Sequence, residues 1–201
     1  MDIILSALAL VVLSPLILLV ALTVRATMGP PVFFRQQRLG YRGKPFTINK
    51  FRTMTFQKGE DGELLADEHR LTPVGRVLRM TTLDELLELF NVLKGEMSAV
   101  GPRPLLPEYR SLYTEEEWRR HEVPPGMAGP VLAHRRNDSD WGDKFKMDIS
   151  YVDNWSLWLD LRILTRTAWQ VLKREGVTAQ GHATAPKFQG SGNKTGRSET
   201  S

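Results

Sequence analysis

Apolar and polar residues recur with different periods along this chain, and each period predicts a different element. Residues 3–24 carry no charge. As one helix rising about 1.5 Å per residue, they are long enough to cross about 30 Å of hydrocarbon. A spanning helix is the default reading of such a run. Ser14-Pro15 at its middle opposes it, because proline deletes a backbone hydrogen bond and clashes with the preceding turn. Each half is then only about ten residues, too short to span alone. A bent helix that dips into one leaflet and returns is the alternative, provided the freed carbonyls find a donor such as the Ser14 hydroxyl. The residue pattern leaves these two open. A cleaved signal peptide fits less well, since no basic segment precedes the run and no good small-residue cleavage site follows it. Arg25, Arg35, Arg38, Arg42 and Lys44 come next and hold that end on the cytoplasmic side.

Residues 31–36 and 46–54 read as short strands around the turn 39–44, with Lys50 and Arg52 on one face of the second. Residues 57–70 are polar and glycine-bearing, a loop. Thr72 then caps a short helix with Pro73 at its first position and Arg76 and Arg79 near its end. A second helix opens at Thr82, with Leu83, Leu86, Leu87, Phe90 and Leu93 as its core face, and ends at Gly95. Residues 114–123 form a charged helix with a capping box from Thr114 to Glu117. Pro124-Pro125-Gly126 breaks it, and residues 126–137 are a loop carrying Arg135 and Arg136. Residues 156–175 are a long amphipathic helix. Its core stripe is Leu157, Leu161, Leu164, Ala168 and Val171, and Trp158, Arg162, Thr165, Trp169 and Lys173 line a neighbouring face. Tryptophan with Arg and Lys is what an interfacial helix shows, with packing of the same face inside the protein as the alternative, and Trp141 and Trp155 favour a domain resting on a membrane surface. The tail 190–201 is low in apolar residues and reads as disordered.

Length and charge narrow the classes. The 201 residues suffice for one domain with a real core plus an appendage, and a net charge of +4 suits anionic partners. The basic residues are scattered, which argues against nucleic acid. There is no cysteine, so disulfides and thiol-ligated metals are excluded. The four histidines, His69, His121, His134 and His182, match no zinc spacing, and neither G-x-G-x-x-G nor a P-loop occurs.

The chemistry concentrates at 79–91, where an arginine precedes an acidic pair, Asp84-Glu85, at the head of an apolar helix. Two readings compete. Thr82 with Glu85 makes a capping box, and carboxylates in a first turn complement the helix dipole. Adjacent residues do not share a helix face, so one carboxylate is free to act while the other caps. Arg103, between Pro102 and Pro104, is held with little left to order and suits a phosphate; a plain extended linker is the bland reading.

Several ordered motifs together resemble the monotopic phosphoglycosyl transferases, the bacterial sugar transferase family. They are the Ser14-Pro15 hairpin, Asn49-Lys50-Phe51-Arg52-Thr53-Met54, Thr82-Leu83-Asp84-Glu85-Leu86, the run 90–98 and Gly101-Pro102-Arg103-Pro104. The resemblance runs from about residue 2 to residue 188, and residues 172–177 with Ala183-Thr184 look most like members that transfer phospho-N,N'-diacetylbacillosamine.

The resemblance implies an α+β fold. A re-entrant helix-break-helix hairpin (1–27) lies in the cytoplasmic leaflet of the bacterial inner membrane, broken at Ser14 and Pro15. A small, mostly helical catalytic domain (28–189) with short strands and interfacial amphipathic helices follows, then a tail (190–201). It implies an Asp84–Glu85 dyad with Mg²⁺. Asp84 attacks the sugar-proximal phosphorus of a UDP-sugar, UMP leaves, and undecaprenyl phosphate takes up the phosphosugar. Lys50, Arg79, Arg103 and Arg136 are the implied phosphate-binding residues; Asp84 is an implied metal ligand, with Asp148 as a further candidate. A homodimer is compatible with this picture. Two departures stand out. Met1-Asp2 leads straight into the hairpin where relatives often carry Lys-Arg, so weaker anchoring or a truncated start is expected. The late loop carries Leu132 and His134 where relatives carry Gln and Asn, which leaves the sugar open. One-step transfer through a ternary complex and a non-enzymatic, membrane-peripheral scaffold are the rival readings.

Overall fold

The computed structural model describes residues 2–133, 140–173 and 188–190. Its first element, α1 (Asp2–Met28), is helical throughout with Pro15 inside it, and it is long and apolar enough to cross a membrane. The absent proline N–H deprives the Val11 carbonyl of its helical partner. Ser14 Oγ donates to that carbonyl at 2.8 Å, as the Ser-Pro pairing led one to expect. The helix exposes Ile4, Leu8, Val11 and Val12 by more than half. Along its second half, Val20 and Val24 are buried against Phe51, Leu78 and Leu87, with Leu16, Ile17 and Ala21 beside them.

Both ends of α1 are fastened to the rest of the chain. Asp2 Oδ2 accepts hydrogen bonds from Ser98 Oγ at 2.5 Å and from the Ala99 amide at 3.3 Å. At the other end the guanidinium of Arg52 donates to the carbonyls of Met28 and Gly29 at 2.5 and 2.7 Å. A cation is well placed there, because the last carbonyls of a helix lack partners and carry its negative dipole end.

A two-stranded antiparallel hairpin follows, β1 (Phe33–Leu39) with β2 (Pro45–Phe51), in register from Phe33↔Phe51 to Leu39↔Pro45. The strands are those expected, shifted by a few residues. The expected loop 57–70 contains one helical turn, α2 (Asp67–Arg70). In α3 (Pro73–Met80) Thr72 caps as predicted, its hydroxyl accepting from the Gly75 amide at 2.9 Å. A Cβ on Gly75 would lie 1.9 Å from the Thr53 carbonyl oxygen, so only glycine lets α3 come this close to the chain leaving β2.

The segment after α3 departs from expectation. Thr82 has φ 55°, in the left-handed region, and its hydroxyl donates to the Thr81 carbonyl; it caps nothing. The predicted Thr82–Glu85 capping box does not form, because a residue turned left-handed cannot aim its side chain at the following amides. A 3-10 stretch, Leu83–Glu88, comes next, and α4 (Leu89–Leu93) continues it up to Gly95 at φ 75°. Three residues per turn in place of 3.6 shifts the phase of the apolar positions. Leu87 is therefore buried, whereas Phe90 and Leu93 are 43 % and 36 % exposed rather than core.

β3 (Ser98–Val100) pairs in parallel with β4 (Gly126–Ala128), a strand inside what the sequence presents as a loop. A Cβ on Gly126 would fall 2.0 Å from the Gly101 amide, so this crossing also needs glycine. Between them lie a 3-10 turn (Pro107–Leu112), α5 (Glu115–Trp118) and a second 3-10 turn (Arg119–His121). The Thr114–Glu117 capping box forms in full. α6 (Pro130–Ala133) follows β4, and α7 (Trp141–Asp153), capped by Asp140, is a helix the sequence reading did not separate.

In α8 (Leu157–Lys173) the period is as expected and the phase is not. Ile163 is buried and Leu159 packs near it against Val100, Ala128 and Tyr151. The expected core residues Leu157 and Leu161 are more than half exposed and Leu164 is 39 % exposed, on the same outer side as Trp158 and Trp169. A third cluster (Ile48, Val92, Met97) and a fourth (Tyr109, Phe145, Phe188) complete a mixed helix-and-sheet fold.

Candidate active site

Three elements converge below the hairpin: the end of β2, the 3-10 stretch after α3, and the proline-flanked turn after β3. Strand alternation turns Lys50 toward the 3-10 stretch, where three residues per turn places Glu85 and Glu88, three apart, on one side. Lys50 Nζ lies 2.5 Å from Glu85 Oε1 and 3.1 Å from Glu88 Oε1. Arg103 reaches the same Glu85 oxygen at 2.7 Å from the opposite side. Glu85 is thus held between two cations, and it does not cap the helix.

The electrostatics follow from these contacts. Burial disfavours the charge of Glu85, but Arg103 and Lys50 overcome it and hold the carboxyl well below the usual carboxylate range. Glu88 is 4 % exposed; burial raises its carboxyl, Lys50 opposes this and Glu85 adds to it. Asp84 is 8 % exposed, and its carboxyl is raised by burial and by Glu85, with Lys50, Arg79 and Arg103 pulling the other way. Among the described residues none donates a hydrogen bond to the Asp84 carboxylate, so of the three acids it alone is uncommitted. Arg79, on the last turn of α3, donates from Nε to Thr53 Oγ1 at 3.1 Å, which aims it across the same region.

The sequence-derived residues separate into three groups. Lys50, Asp84, Glu85, Arg79 and Arg103 are gathered in one place. Arg52, expected beside Lys50, serves the end of α1. Asp148 lies on α7, where Arg120 donates to its Oδ2 from Nη2 at 2.7 Å and from Nε at 3.0 Å. Arg136, with His134 and Arg135, lies outside the described residues.

Sequence reasoning missed Glu88, Arg38 and Arg120. Glu85 and Glu88 at i, i+3 in an otherwise apolar run was the available signal for the first. Arg38 lines a small cleft with Lys50, Glu88, Arg103 and Gly126. Its Nη1 donates to the Pro104 carbonyl at 3.4 Å, and burial followed by the nearby Arg103 lowers its pKa. Arg120 sat in a charged helix with nothing to mark it as the buried member.

No group of three or more His, Asp or Glu among the described residues is arranged to hold a metal ion. Mg²⁺ is commonly held by one or two carboxylates together with substrate phosphates, and of the three acids here Asp84 is the one that accepts no hydrogen bond from the described residues.

Comparison with known proteins identifies the family. The pattern of the bacterial sugar transferase family matches residues 1–174. The chain is 52 % identical over 179 residues to the uncharacterized sugar transferase EpsL of Bacillus subtilis, covering 89 % of each. It is 42 % identical over 180 residues to a UDP-glucose:undecaprenyl-phosphate glucose-1-phosphate transferase of Klebsiella pneumoniae, covering 84 % of this chain and 38 % of that protein. It is 39 % identical over 192 residues to an undecaprenyl-phosphate galactose phosphotransferase of Salmonella typhimurium, covering 87 % of this chain and 40 % of that protein. The chain thus spans about two fifths of the length of the last two and most of the first. With most of its length matched to one family pattern, the chain belongs to the bacterial sugar transferases.

Proposed function

We propose that this chain moves a sugar 1-phosphate from a UDP-sugar to undecaprenyl phosphate with release of UMP, through a covalent intermediate on Asp84. The observation that carries the assignment is the contrast among three neighbouring acids: Glu85 and Glu88 are bound by cations, and Asp84 accepts no hydrogen bond from the described residues. A carboxylate needs no deprotonation to act as a nucleophile at neutral pH, and splitting one transfer into two is what covalent catalysis achieves. Burial raises the basicity of Asp84.

In the first half an Asp84 oxygen forms a bond to the sugar-proximal phosphorus, and the bond from that phosphorus to the bridging oxygen breaks. UMP leaves with the electron pair. In the second half a phosphate oxygen of undecaprenyl phosphate attacks the same phosphorus, the acyl phosphate bond breaks, and the Asp84 carboxylate is restored. Arg103, about half exposed, and Arg79 are read as the residues that bind diphosphate oxygens. Lys50 and Glu85 set the charge around them. Bound Mg²⁺, held by Asp84 and the diphosphate, would supply charge neutralisation at the transferring phosphoryl group.

Asp2 bound to Ser98 and Met28 bound to Arg52 place both ends of α1 on one protein body. A straight helix of 27 residues is about 40 Å long and would put its ends on opposite sides of a bilayer. This supports the re-entrant reading, with the outer side of α1 and the Trp158–Trp169 side of α8 in the cytoplasmic leaflet of the inner membrane. The donor is read as UDP-N,N'-diacetylbacillosamine or another N-acetylated hexosamine; the glucose and galactose in the relatives' names widen the panel to be tried.

The test is UMP release from a panel of UDP-sugars by detergent-solubilised protein, with Mg²⁺ and undecaprenyl phosphate, beside Asp84→Asn. UMP release that needs Asp84 is expected, limited to about one equivalent of the protein without lipid and sustained with it, with a ping-pong pattern in initial rates. Undiminished release by Asp84→Asn would refute the nucleophile, and an intersecting pattern would favour one-step transfer. Lipid binding indifferent to Asp84 with no UMP release would favour the scaffold.

A further inference from the structure

Asp148 and Arg120 form a buried ion pair, their side chains 4 % and 2 % exposed, and the proposed chemistry makes no direct use of either. Arg120 Nε and Nη2 both donate to Asp148 Oδ2, and the guanidinium also lies over the Phe145 ring, 5.6 Å from its centroid. The same Nη2 donates onward to the backbone carbonyl of Arg103 at 2.8 Å.

Arg120 is the hydrogen-bond donor to that carbonyl among the described residues. Around it the backbone is fixed point by point: Gly101 donates its amide to the Ala128 carbonyl at 3.0 Å, and Gly126 donates to the Pro102 carbonyl at 3.1 Å. Arg120 supplies the remaining point. The Arg103 side chain emerges from this clamp about half exposed and meets Glu85 at 2.7 Å. A long exposed side chain owes its direction to its backbone, so what fixes the carbonyl fixes where the guanidinium can reach.

We propose that Asp148 is a positioning residue and not a metal ligand: it holds Arg120, Arg120 holds the Arg103 carbonyl, and Arg103 thereby presents its guanidinium to the diphosphate of the donor. The inference rests on the reading of Arg103 as a phosphate-binding residue. Against a ligand role, the nearest partner of the Asp148 carboxylate is a guanidinium, which repels a second cation. Among the described residues no group of three or more His, Asp or Glu gathers at Asp148 to offset that charge. A carboxylate oxygen shared by two N–H donors is committed to orientation, and replacing arginine or aspartate in such a fork removes direction as well as charge.

The experiment is a double-replacement cycle on UDP affinity, measured by calorimetry on the full chain in detergent without metal, alongside Mg²⁺ titrations of UMP release. Arg103→Ala is expected to weaken UDP binding by about 10- to 100-fold, the range for a lost hydrogen bond to a charged group. Asp148→Asn is expected to weaken it by about 10-fold, and the two together no more than Arg103→Ala alone, because both act through one guanidinium. The Mg²⁺ concentration for half-maximal UMP release should stay within about twofold in Asp148→Asn.

Asp148→Asn leaves a buried charge on Arg120, so a paired variant, Arg120→Met with Asp148→Leu, guards against simple unfolding. It is expected to melt near the wild type yet bind UDP as weakly as Asp148→Asn. Recovery of both melting temperature and affinity in the paired variant would reduce the role to packing and overturn the inference. Multiplying effects in the cycle, unchanged UDP affinity in Asp148→Asn, or a tenfold shift in Mg²⁺ requirement would each overturn it as well. Wild-type protein that binds UDP but releases no UMP from any donor would refute the proposed reaction while leaving the cycle to judge the inference. Wild-type protein that binds no UDP would overturn both.

Discussion

Replacing Lys50 with methionine removes one ammonium from between two acids and keeps the stem that fills the space. Lys50 Nζ is 2.5 Å from Glu85 and 3.1 Å from Glu88, and the three side chains are 14 %, 16 % and 5 % exposed. At an effective dielectric of about 20, unit charges about 3 Å apart attract by about 5 kcal/mol. Breaking a buried pair by removing one partner typically costs about 3–5 kcal/mol. The two acids then respond differently. Glu85 retains Arg103 and stays ionised. Glu88 loses the cation that opposed its burial, so its carboxyl, already raised, rises further, and readier protonation limits the loss.

The expected cost at neutral pH is about 3 kcal/mol, at the low end of that range. For a chain of this size it lowers the melting temperature by about 6–12 °C, at about 2–4 °C per kcal/mol. A carboxyl raised in the folded state gives a folded chain that binds more protons than the unfolded one between the two pKa values. Stability therefore falls as pH rises through that window, and the Lys50→Met deficit should shrink from pH 8 to pH 5. The assay is thermal unfolding in detergent, followed by tryptophan fluorescence across pH. Lys50→Met with Glu88→Gln removes the orphaned acid and should recover at least half of the lost melting temperature. A loss below 2 °C, or a double variant no better than the single one, would refute the reasoning.

Two other outcomes are expected. His121 is buried and held down to about 4, first by burial and then by Arg120, against an ordinary value of 6.5. Its contribution is fully present above pH 6.5 and is lost as pH falls toward 4, up to about 3 kcal/mol, so denaturation curves should show His121→Gln with a flatter acid limb than wild type. The chain has no cysteine, so Ile3→Cys is a clean label site. In sealed vesicles it should react with a membrane-impermeant maleimide only from the cytoplasmic face, and reaction from the opposite face would restore the spanning helix.

What was legible in the sequence is what local chemistry decides. Thr72 before Pro73, Thr114 with Glu117, and Ser14 before Pro15 each form the predicted contact because the partner amide or carbonyl lies within four residues. The failures are matters of phase and of distant partners. A capping box reads identically whether Thr82 is extended or left-handed, and once it turned left-handed Glu85 was released to Lys50 and Arg103, 35 and 18 residues away. α8 shows the right period with the wrong inward side, because the side that packs is chosen by Val100, Ala128 and Tyr151. β4 has three residues and two small side chains, too little for an alternation to register. Of the site, Asp84, Glu85, Lys50, Arg79 and Arg103 were recognisable by resemblance, and the structure adds which acid is left uncommitted. Glu88 and Arg120 act through partners that only the fold brings near.

The proposed mechanism turns on one covalent bond, and peptide mass spectrometry looks for it directly. Protein is incubated with Mg²⁺ and the UDP-sugar that supports UMP release, with undecaprenyl phosphate withheld, then quenched and digested. The account predicts a mass increase of one sugar phosphate on the peptide containing Asp84, lost on adding undecaprenyl phosphate and absent in Asp84→Asn. UMP release that proceeds only when the lipid is present, with no adduct trapped on any peptide, would contradict it.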